Sequence, residues 1–142
     1  MRKSTLILFI LFFSNNIFSQ EFNGVYSSDF TNFVSKENPS KNFSNPDSSI
    51  ISIDIYDYPK PSGNITLTIK QNGESANIKF VLTGEKEVGY EDGTTYITYQ
   101  AHIYLLNQKT QTKCTVAIDS KLTAFIVLYE NGSAQSWHIK KL

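Results

Sequence analysis

"TTYITYQAHIYLL", residues 94–106, alternates without a break. Its even positions are Thr94, Tyr96, Thr98, Gln100, His102 and Tyr104, and its odd positions are Thr95, Ile97, Tyr99, Ala101, Ile103 and Leu105. Successive side chains of a strand point to opposite faces, so a period of two marks a strand with unlike sides. The odd row is the apolar one. It is expected to face a core, with Tyr96, His102 and Tyr104 turned outward.

The same period recurs on both sides of this stretch. "IISIDIYDY" (50–58) sets Ile51, Ile53 and Ile55 against Ser52, Asp54 and Tyr56. "GNITLTIK" (63–70) and "ANIKFVLTG" (76–84) carry apolar rows through Ile65, Leu67, Ile69 and through Ile78, Phe80, Leu82. "KCTVAID" (113–119) groups Cys114, Val116 and Ile118, and "LTAFIVLYE" (122–130) is apolar on both faces. "FNGVYSS" (22–28) opens the series and "QSWHIKKL" (135–142) closes it, with Trp137 and Ile139 on one side. No helical period competes.

The links between these runs are turns. "QNGE" (71–74) and "ENGS" (130–133) hold Asn-Gly, which suits the positive φ of a tight hairpin. "EDGT" (91–94) is a further turn, and "YPKPSG" (58–63) is punctuated by Pro, which cannot sit in a central ladder. Eight strands with one apolar face each must fold over as a sandwich or close into a barrel. Plain hairpins after residue 50 favour the barrel, which also removes exposed edges. The expected fold is all-β: a single-domain, up-and-down antiparallel barrel of about eight strands.

One long link stands out, residues 28–49, rich in Asn, Ser and Pro but carrying Phe30, Phe33 and Phe43. Long loops of this kind are often lids. These Phe side chains are expected either to plug one barrel end or to cover a cavity.

Gly24-Val25-Tyr26 in the first strand, a long loop after it, a run of hairpins and Trp137 in the last strand together resemble the calycin superfamily of lipocalins, fatty-acid-binding proteins and avidin-type barrels. The chain departs from the lipocalin pattern where Tyr26 replaces a Trp and where Lys140 and Lys141 replace an Arg. The resemblance implies a lipocalin-like architecture and a possible ligand cavity.

The chain begins "MRKSTLILFILFFSNNIFSQ": Arg2 and Lys3, an apolar run over 6–13, then small and polar residues. That order is a secretory signal, and the run is too short to cross a bilayer. Residues 1–19 are expected to be removed, leaving residues 20–142 as one exported domain, periplasmic or secreted, with no membrane span. Removing Arg2 and Lys3 from the 13 basic residues leaves 11 against 13 acids. Such a balance gives no footprint for nucleic acid. The single cysteine, Cys114, cannot form an internal disulfide and alternates with core residues.

Chemistry is sparse. His102 and His138 have no metal-ligand spacing, and no Gly-x-Ser-x-Gly elbow or Cys/His pair appears. The acids of "GEKEVGYEDG" (84–93) match no calcium loop and read as a solvated hairpin tip. No enzyme, no cofactor and no metal are expected. The leading expectation is a binding protein for a small apolar ligand, held by Tyr26, Phe80, Ile97, Tyr99, Ile103 and Trp137 with Phe30, Phe33 and Phe43 above them. The alternative is a cavity-free interaction or inhibitor barrel that meets a protein partner through Tyr96, His102 and Tyr104.

Overall fold

A computed structural model describes residues 22–106 and 108–142; the expected signal segment lies outside them. The strands are β1 (Gly24–Val34), β2 (Phe43–Pro46), β3 (Ile50–Tyr56), β4 (Ser62–Gln71), β5 (Glu74–Glu91), β6 (Thr94–Leu105), β7 (Gln108–Asp119), β8 (Ala124–Tyr129) and β9 (Ala134–Lys141). All pairings are antiparallel, from β1 to β3 and then in chain order to β9, and β9 pairs back onto β1. This is a closed eight-stranded up-and-down barrel with β2 as an additional strand. It is compatible with a calycin-like architecture.

Sequence dictates the hairpins locally. At the β4–β5 turn Asn72 has φ 52° and Gly73 φ 81°, and at the β5–β6 turn Asp92 has φ 49° and Gly93 φ 79°. Two consecutive positive φ values define the turn whose twist matches the flanking strands. Between β7 and β8 the carboxylate of Asp119 does the work. It accepts from the Thr123 amide at 2.7 Å, the Ala124 amide at 2.9 Å and Thr123 Oγ1 at 2.6 Å.

The register aligns the apolar rows into layers. Ile97 faces Ile118, then Phe125, Trp137 and Thr31 on successive strands. Tyr99 faces Val116 and Val127 in the next layer. Phe125 stacks on Trp137 with centroids 5.5 Å apart and meets Phe80 edge-on at 5.8 Å. The odd row of the opening stretch is buried from Ile97 to Ile103, as its alternation requires.

Two regions differ from the sequence reading. Half of the stretch expected as a loop over 28–49 is strand: residues 28–34 continue β1, and Phe43–Pro46 is β2. β1 runs on to Val34 because its far half pairs with β9 on one side and β2 on the other. A bulge at Asp29 marks the switch of neighbour from β3 to β2, and His138 Nδ1 on β9 lies 2.8 Å from Asp29 Oδ1. That hydrogen bond holds the Asp29 carboxyl below its ordinary range. The acidic stretch 84–93 is likewise no mere tip. β5 continues through it to Glu91, and the turn is confined to Asp92-Gly93.

Candidate functional site

The residues expected to line a cavity are interior. Tyr26, Phe80, Ile97, Tyr99, Ile103 and Trp137 belong to one contiguous buried cluster. A side chain beside a void wide enough for water keeps surface accessible to that void. Tyr26, Ile65, Leu67, Val116, Phe125 and Val127 each keep 0%. The barrel is therefore filled by its own side chains around these residues.

The interior polar groups close the structure on itself. Tyr26 donates its hydroxyl to the Phe22 carbonyl at 2.8 Å. Asn23 pairs both ways with Ile55, donating to its carbonyl at 2.9 Å and accepting from its amide at 2.8 Å. At the barrel end near the β3–β4 link, Tyr99 donates to Asp57 Oδ1 at 3.3 Å while Lys86 Nζ lies 2.7 Å from Asp57 Oδ2. Burial, with Asp57 alongside, pushes the Tyr99 phenol far above its ordinary range. Burial, with Glu130 nearby, pushes the Cys114 thiol up to about 12, which suppresses its nucleophilic thiolate. Among the described residues no three His, Cys, Asp or Glu side chains come together to hold a metal ion, and no helix is long and apolar enough to cross a membrane.

The three remaining candidates do not join the interior cluster. Phe33 and Phe43 are register partners on β1 and β2 and stack at 5.5 Å. They border a shallow concavity with Asn32, Val34, Asn42, Ser44 and Ser136. Phe30 lies on the opposite face of β1 and is exposed. The outward row of β6 is partly exposed at Tyr96, His102 and Tyr104, as expected, but does not form one patch. Tyr96 and Tyr104 are eight residues apart, about 26 Å along a strand. Between them His102 borders a small polar hollow with Thr83, Glu85, Gln100, Ala101 and Lys113.

A better-formed feature lies at the Tyr96 end. A groove of about 300 Å³ runs across the outer wall, lined by Gly89, Tyr90, Glu91, Tyr96, Thr98, Ala117, Ile126 and Leu128. Four strands build it. Register places Gly89 opposite Tyr96, Thr98 opposite Ala117 and Ala117 opposite Ile126. Gly89 and Ala117 supply a low floor between larger residues, and Ile126 and Leu128 come from the strand that is apolar on both faces. A bulge between Leu82 and Lys86 sets the faces of the β5 arm. Lys86 is turned to the Tyr99 side, and Glu87, Gly89 and Glu91 are turned outward. Sequence reasoning found Tyr96 and the two-faced β8 but missed Gly89 and Ala117. Small residues carry no pattern of their own, and only the register shows them to be neighbours.

Comparison with protein-family models, with curated proteins and with solved structures finds no match for this chain. The functional reading therefore rests on the barrel itself.

Proposed function

We propose that this chain is an exported, non-enzymatic binding barrel that recognises a protein partner on its outer wall. Export is supported by the order of charge, apolar run and polar end over residues 1–19. One observation carries the recognition surface: the groove around Tyr96, Ala117, Ile126 and Leu128, open to solvent and mostly apolar. Apolar patches with an aromatic at the centre and polar neighbours are the usual anchor points of protein contacts. A small apolar ligand inside the barrel is the weaker reading, because it would have to open space among side chains that keep little or no accessible surface.

Gly89→Trp tests this. A Cβ at Gly89 meets nothing within 4 Å, and Gly89 has no positive φ, so the larger side chain enters the groove without disturbing the strand. Affinity capture from the exporting cell's envelope fraction should retain a partner on the wild-type chain and lose it on Gly89→Trp. A partner held equally by both chains, or by neither, overturns the reading.

A further inference from the structure

Resting on that outer-wall reading, we infer that the groove takes an arginine side chain of the partner, its stem on the apolar floor and its guanidinium between Tyr96 and the carboxylates of Glu87 and Glu91. The alternation of β5 turns Glu87, Gly89 and Glu91 to the outer face, opposite Thr98, Tyr96 and Thr94 of β6. A strand rises about 3.3 Å per residue, so the two acids flank Gly89 at about 6.6 Å on either side. Gly89 has no side chain to cover its register partner, which leaves the partly exposed Tyr96 ring open on that side.

Charge then selects the occupant. Among the described residues Glu91 is the one charged residue lining the groove, Glu87 stands on the same face beside it, and no basic residue lines it. Among the described residues neither Glu87 nor Glu91 is in an ion pair. A neutral apolar group seated here would strip water from the Glu91 carboxylate without compensation, which is unfavourable. A cation reverses the sign of that contribution. Guanidinium is weakly hydrated, stacks on aromatic rings and binds carboxylates in a planar fork, whereas an ammonium is a compact and strongly hydrated point. The methylene stem of arginine suits Ala117, Ile126 and Leu128.

The test uses the full processed chain and three capped pentapeptides: Ala-Leu-Arg-Leu-Ala and its counterparts with citrulline or norleucine in place of the Arg. Citrulline keeps the shape of arginine and removes the charge. Amide shifts at Gly89, Thr98 and Ala117 should follow the arginine peptide, with affinity about three- to tenfold above the citrulline peptide. Added salt should narrow that gap. The double variant Glu87→Gln/Glu91→Gln should bring the two peptides level while its unfolding midpoint stays unchanged. Equal binding of arginine and citrulline peptides to the wild-type chain, or no shift with the arginine peptide, overturns this inference. Gly89→Trp capture decides the outer-wall reading separately, so the two can fail independently.

Discussion

Tyr99 on β6 donates its phenol to Asp57 at 3.3 Å, and the other oxygen of that carboxylate holds Lys86 at 2.7 Å. One carboxylate from the β3–β4 link thus ties together an interior tyrosine and the start of the β5 arm. Tyr99→Phe deletes a hydrogen bond to a charged acceptor and should lower stability by about 1–2 kcal/mol. Asp57→Ala removes the acceptor from both partners and should cost about 2–4 kcal/mol. Urea unfolding of both variants checks the order. An Asp57 variant no worse than the Tyr99 variant would mean that Lys86 gains nothing from the pair.

Alkali should lower the stability of this protein in two overlapping stages. Burial raises the folded-state pKa of Cys114, Tyr26, Tyr99 and Tyr129. A raised pKa means that the unfolded chain loses its proton first. The stabilisation is full below the unfolded value and falls as pH rises from there. For Cys114 the window opens near pH 9 and closes at about 12. For the tyrosines it opens near pH 10. Cys114→Ala should move the onset of stability loss upward by about one pH unit, read from denaturation midpoints across pH 8–11.

Asp119 organises the β7–β8 turn through three hydrogen bonds and is buried. Asp119→Ala strands the amides of Thr123 and Ala124 and should cost about 2–4 kcal/mol. Asp119→Asn keeps one acceptor oxygen and should lose less. Thermal unfolding of the two variants separates the cases, and equal losses would show that the carboxylate shape does not matter.

Two glycines should respond in opposite ways. At Gly63 φ is +106° and an added Cβ would lie 2.1 Å from the Asp54 carbonyl oxygen on the paired strand. Gly63→Ala must displace backbone, and a soluble yield far below wild type is expected. Gly89→Ala should stay within about 0.5 kcal/mol of wild type, since its Cβ meets open space. A well-folded Gly63→Ala chain would contradict the close approach of β3 and β4.

The alternation of residues 97–103 was enough to place the core face of β6, and Asn72-Gly73 was enough to place a hairpin. Both signals are local. The continuation of β1 through Asp29, Thr31 and Asn32 was not legible, because these residues favour turns when read alone. Pairing with β9 holds them extended: Thr31 faces Trp137, and its hydroxyl donates to the Ser136 carbonyl at 3.0 Å. The charged half of β5 was hidden in the same way, since its ladder with β6 overrides its composition. The expected cavity residues were recognised as interior, but alternation fixes which side a residue faces and not whether space remains there. The groove needed four strands in register, and no single stretch contains it.

The seam between β1 and β9 joins Thr31 to Ser136, 105 positions apart. Every hairpin from β3 to β8 is local in sequence, whereas β1 must wait for β9 to supply its second neighbour. Until residues 134–141 dock, the sheet is an open ribbon, with β8 and β1 each lacking the neighbour that β9 supplies. Closure of this barrel thus depends on the strand furthest in sequence from β1. A truncation as short as the final strand would yield a sticky intermediate rather than a smaller barrel.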